Sequence, residues 1–99
     1  MFGLDVYIIE DIVKVLSKYD EINKAYIFGS RARGNYKATS DIDIALFCED
    51  ISSTRLNLIR DDIDMLDIIY KIDILHFESM TKSGLIENIL KEGITIYQK

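Results

Sequence analysis

The run Asp41-Ile42-Asp43-Ile44-Ala45-Leu46-Phe47-Cys48 constrains this chain more than any other stretch. Its residues sort into two sets by simple alternation. Ile42, Ile44, Leu46 and Cys48 point one way; Asp41, Asp43, Ala45 and Phe47 point the other. That pattern predicts a β-strand with two different faces, one of which presents a pair of carboxylates at its head.

The rest of the chain supplies partners for such a strand. Residues 5–19 predict a helix, with Ile9, Ile12, Val13 and Leu16 at helical spacing. Lys24 to Phe28 reads as a short strand ending at Gly29. Ser30 is placed to cap a short helix containing Arg31, Ala32 and Arg33, which Gly34 would end. Asn35 to Thr39 is a polar loop. Residues 54–70 return to helical periodicity through Leu56, Ile59, Ile63, Leu66 and Tyr70. Lys71 to Phe77 reads as a third strand, residues 83–91 as a further helix ended by Gly93, and Ile94 to Tyr97 as a last strand. The expected fold is α/β (α+β): a small mixed sheet with helices packed mainly on one face. The long connection between the second and third strands contains a full helix, which suits a crossover. The order of strands is not readable.

Ninety-nine residues make a single domain, 1–99. No apolar run approaches the roughly 20 residues that a membrane span needs. Asp5, Glu10 and Asp11 interrupt the N-terminal apolar residues without a basic leader, which argues against a secretory signal. One cysteine, Cys48, cannot form an internal disulfide, and a reduced cytoplasmic setting fits it. The net charge of −5 argues against duplex nucleic acid as a ligand, since such proteins normally show a basic face. The densest positive cluster is Arg31 with Arg33. Two arginines can clamp one small anion, but they make a poor footprint for a long polymer.

The chemistry concentrates in residues 29–43, GSRARGNYKATSDID. Glycine at a strand-to-helix turn lets a ligand approach the backbone without meeting a Cβ atom. The helix start offers N–H groups to an anion, Ser30 adds a hydroxyl, and Arg33 can fork onto phosphate oxygens. No Walker lysine follows, and the glycine spacing is not that of a dinucleotide fingerprint. Asp41 and Asp43 project from one strand face, where unpaired carboxylates repel. A Mg²⁺ ion reverses that penalty by combining one or two carboxylates with substrate phosphates. Asp73 interrupts an apolar run, and a third carboxylate there could bind a second metal or accept the proton of an attacking hydroxyl.

The string GSRARG, then SDID after five residues, then a later Asp in an apolar strand, resembles the minimal nucleotidyltransferase family of the DNA polymerase β superfamily. The likeness runs from the first helix to the closing Glu-Gly-Ile-Thr-Ile-Tyr segment. It implies a nucleotidyltransferase fold and transfer of a nucleotide from a triphosphate, ATP or another, with release of pyrophosphate. Gly29, Ser30, Arg33 and Ser40 would bind the nucleotide. Asp41, Asp43 and Asp73 would be catalytic and hold Mg²⁺ in a two-metal site, converging so closely that only a doubly charged ion makes them compatible.

Single-domain members of that family typically pair with a small helical HEPN-type RNase toxin, for which the nucleotidyltransferase is the antitoxin. The resemblance therefore implies AMP transfer to a hydroxyl of such a partner. Acceptor recognition would come from another polypeptide or from a homodimer. Neutralisation by contact without turnover is the alternative, and modification of an antibiotic-like small molecule is a third reading. Ile8, Val15 and Tyr19 on the first helix, with Leu58 and Met65 on the next long one, extend apolar surface toward a partner, beside the acidic Asp61, Asp62, Asp64 and Asp67. His76 is read as structural. Tyr26, Tyr36, Tyr70 and Tyr97 are candidates for stacking on a base, Tyr36 foremost.

Overall fold

A computed structural model describes all of residues 1–99. The elements run α1 (Val6–Leu16), β1 (Lys24–Phe28), α2 (Ser30–Arg33), β2 (Ile42–Phe47), α3 (Ser53–Asp64), β3 (Ile72–His76), a 3₁₀ turn (Phe77–Ser79), α4 (Ser83–Glu92) and β4 (Ile94–Gln98). The sheet order is β3-β2-β1-β4. β1 pairs antiparallel with both β2 and β4, whereas β2 and β3 are parallel. The helical crossover through α3 supplies that parallel pair, because parallel neighbours need a long connection.

The two faces of β2 are the two faces of the fold. Ile42, Ile44, Leu46 and Cys48 sink into the main core with Ile12 and Leu16 of α1 and Ile59 and Ile63 of α3. Each buried aliphatic side chain of this kind contributes about 1.5–3 kcal/mol. On the opposite face Ala45 and Phe47 join Phe28 and Ile89 in a smaller cluster. Ile89 belongs to α4, so one helix covers part of the second face while α1 and α3 cover the first. Asp43 lies on that second, less covered face.

Four expectations need correction. α3 ends at Asp64, not at residue 70. Leu66, Ile68 and Tyr70 still pack against the core, but from a turning segment in which the Leu66 N–H reaches the Ile63 carbonyl and the Ile68 N–H the Leu66 carbonyl. Their apolar spacing imitates a helix because they fill the same core. α1 likewise stops at Leu16, and Tyr19 enters the core from the turns beyond it. Ile8, Val15 and Tyr19 are buried, so none belongs to a partner surface; Leu58 and Met65 are exposed.

The fourth correction concerns Ser30. It is the first residue of α2 and makes no capping bond; Gly29 holds the capping position with φ 78°. Gly34 closes the helix in the left-handed conformation, as its position after Arg33 predicts. No helix is long and apolar enough to cross a membrane.

Candidate active site

Asp43 and Asp73 are directly paired positions on the parallel strands β2 and β3. Side chains at paired positions emerge on the same face, so the two carboxyls meet on the face opposite α1 and α3. Phe28, the last residue of β1, pairs with Asp43 from the other side. Gly29 follows, and a Cβ built on it would stand 2.5 Å from Oδ2 of Asp43. The missing side chain thus keeps the space beside that oxygen open. A cavity of about 320 Å³ lies against the pair, lined by Asp43, Asp73, Phe28, Arg60 and Asp64 together with apolar residues of β3.

Electrostatics mark Asp43 as the uncomfortable member. Burial raises its pKa first, then the charges of Asp73 and Asp41, then hydrogen bonding with the Asp73 side chain, with Arg33 opposing. Asp73 has a local counter-charge in Lys71, whose Nζ stands 3.6 Å from Oδ1. Asp41 is exposed, one residue before β2, and acts on Asp43 through its charge. No three acidic, histidine or cysteine side chains close into a ready-made metal cage. The geometry brings Asp43 and Asp73 together and leaves Asp41 at the rim, an arrangement expected where like charges stand uncompensated. The donor set still fits Mg²⁺, which takes one or two carboxylates and completes its shell from phosphates and water.

The two arginines of the motif part company. Positions two apart on a helix point about 200° away from each other, so they cannot face one ligand. Arg31 is buried at 2% exposure. Its Nη1 donates to the Phe2 carbonyl at 2.9 Å, and its Nη2 and Nε donate to the Ser40 carbonyl at 2.9 and 3.1 Å. The guanidinium lies over the rings of Tyr36 and Tyr70, at 5.2 and 4.6 Å. Arg31 therefore buckles the N-terminal segment to the loop before β2. Arg33 is exposed on the site side, where its Nη1 pairs with Oε2 of Glu92 at 3.1 Å and its charge reaches Asp43.

Ser40 is engaged locally, its hydroxyl accepting from the Lys37 N–H at 2.8 Å. The Tyr36 ring packs on Arg31 and against Gly3, and Tyr26 packs on Phe47, which leaves neither standing free for a base. His76 is structural: its Nε2 bonds the Cys48 carbonyl at 2.6 Å. Two residues of the site's surroundings were not foreseen. Glu92 arrives from the end of α4, and Arg60 arrives from α3, where it donates to the Ile74 carbonyl at 3.0 Å. Both depend on long-range packing that leaves no periodic trace.

The family model described as polymerase beta, nucleotidyltransferase matches residues 10–99. The chain belongs to that family. No curated protein matches it. Solved structures similar to this nucleotidyltransferase domain include a toxin–antitoxin complex with AMP-PNP, at TM-score 0.71 and 24% identity over 92% of this chain and 73% of the other. The MntA–HepT toxin–antitoxin complex is similar at TM-score 0.68 and 21% identity, over 96% and 74%. So is a tri-AMPylated HEPN toxin in complex with its MNT antitoxin from Shewanella oneidensis, at TM-score 0.67 and 22% identity over 94% and 71%. At these identities the likeness is one of fold. The nucleotidyltransferase domain shares its fold with one chain of each of those complexes.

Proposed function

We propose that the protein, a single domain over residues 1–99 acting in the cytoplasm, transfers AMP from ATP to a hydroxyl group on a HEPN-type partner and thereby acts as its antitoxin. The observation that carries this reading is the in-register pair Asp43 and Asp73 beside the open turn at Gly29. Solved complexes of similar fold include one with AMP-PNP and one whose HEPN toxin is AMPylated, and they support the nucleotide and the partner.

In this reading Gly29 and Ser30 receive the triphosphate on the β1 side, with Arg33 and Ser40 at its margin. Arg33 would exchange Glu92 for phosphate oxygens, which its planar fork matches better than a single carboxylate oxygen. Asp43 and Asp73, with Asp41 at the rim, would hold Mg²⁺. Bound there, the metal would supply charge stabilisation for both the attacking and the leaving oxygen. The acceptor oxygen bonds to the α-phosphorus as the bond to the bridging oxygen breaks, and pyrophosphate departs. Asp73, half-exposed at the sheet edge, would take the acceptor's proton.

Neutralisation by contact alone is the second reading, favoured by exposed Leu58, Met65 and Ile69 on and after α3. One experiment separates the two. Purified chain, ATP and Mg²⁺ are incubated with the HEPN partner, and the partner is weighed by mass spectrometry while its RNase activity is followed. Mass gain of one or more AMP groups, lost in Asp43→Asn together with neutralisation, supports transfer. Neutralisation by Asp43→Asn at the wild-type level would sink it in favour of contact.

A further inference from the structure

β3 is an edge strand whose sole neighbour is β2. Across that single ladder Asp73 faces Asp43, and like charges directly opposite weaken strand pairing. The open side of β3 therefore needs a tether, and α3 provides one. Nε and Nη2 of Arg60 donate to the Ile74 carbonyl at 3.3 and 3.0 Å, one residue past Asp73. Nη1 reaches back to Oδ1 of Asn57 at 3.4 Å, which braces the guanidinium against its own helix. Arg60 is also the one cation lining the cavity that holds Asp43, Asp64 and Asp73. It forms an ion pair with none of them.

We infer that Arg60 is a positioning residue: by forking onto the Ile74 carbonyl it holds the edge strand in the register that sets Asp73 beside Asp43. In this role it acts through β3, by its bonds to the Ile74 carbonyl. The inference rests on the nucleotidyl-transfer reading for the purpose of the pair, but the tether itself is geometric. A lysine cannot reproduce it fully, since an ammonium is a point donor and lacks the planar fork.

The test uses Mn²⁺ as a probe of the Mg²⁺ site, titrated into the full chain without nucleotide and read by electron paramagnetic resonance. Arg60→Met keeps much of the aliphatic stem and removes every donor. It is expected to bind Mn²⁺ about tenfold more weakly than wild type, the lower end of what loss of a ligand-orienting contact costs. Arg60→Lys is expected between the two. In turnover, kcat should fall while KM for the triphosphate stays at its wild-type value. Equal Mn²⁺ affinity in wild type and Arg60→Met overturns the inference and leaves Arg60 a cap on a sheet edge. If Arg60→Met does not fold, Arg60→Lys decides, and wild-type affinity in it has the same meaning. A wild type that takes up no Mn²⁺ even with a non-hydrolysable triphosphate present overturns the transfer reading itself, and the inference with it.

Discussion

Gly29 and Asp43 exclude any side chain from the space between them: a Cβ on the glycine would stand 2.5 Å from the carboxylate oxygen. The glycine also has φ 78°, a conformation that costs other residues about 1–3 kcal/mol. Gly29→Ala is therefore expected to lose about 2 kcal/mol of stability in urea unfolding. It should also push the Asp43 carboxyl aside and abolish Mg²⁺-dependent triphosphate binding in calorimetry. Wild-type binding in this variant would mean that the turn does not frame the site.

At neutral pH Asp43 is expected to weaken the fold it belongs to. Burial, then the charges of Asp73 and Asp41, raise its pKa above the ordinary 3.8, so the folded chain binds this proton more tightly than the unfolded one. The contribution of Asp43 to stability is then greatest below pH 3.8 and declines as pH rises through the folded pKa. At neutral pH Asp43→Asn is expected to melt a few degrees higher than wild type while losing metal-linked binding, the trade of stability against function common at active sites. Melting curves at pH 7 without divalent ions check this. A lower melting temperature for the variant would contradict the sign.

Arg31 is held by backbone carbonyls from the N-terminal segment and from the loop before β2. Arg31→Lys leaves several of these without a donor, and a loss of about 3 kcal/mol is expected. Native-state hydrogen exchange offers a sharper readout than global melting. Faster exchange should appear first around residues 2–4 and 37–40, and uniform destabilisation would argue against the buckle.

Cys48 is fully buried, and burial pushes its thiol pKa up to about 12, with the nearby charge of Glu78 adding to it. The native protein is expected to resist thiol reagents at pH 8 and to react stoichiometrically once unfolded. Rapid labelling of the folded chain would show that the end of β2 opens readily.

Much of this is legible in the sequence. The alternation through residues 41–48 exposes both faces of β2 because period two survives in a strand covered on each side. Asp73 stood out because a charge interrupts an apolar run. Other features have no local signature. The roles of Arg31 and Arg33 diverge only when the 200° between them is set against what lies on each side. Arg60 is ordinary helix surface until β3 is placed beside α3. The pairing of β1 with β4 joins segments some seventy residues apart, and nothing in either strand names the other. The helix expected to reach residue 70 fell short because Leu66 and Tyr70 serve the core from a turn.

The alignment of β2 with β3 also bears on folding fidelity. Because successive residues alternate sides, a ladder misaligned by a single step would turn the carboxyl of residue 73 under the sheet, among the isoleucines. Such a molecule could keep its helices and much of its compactness yet have no chemistry at all. A preparation containing both forms would contain two populations, fully competent and inert, with no partly active molecules between them.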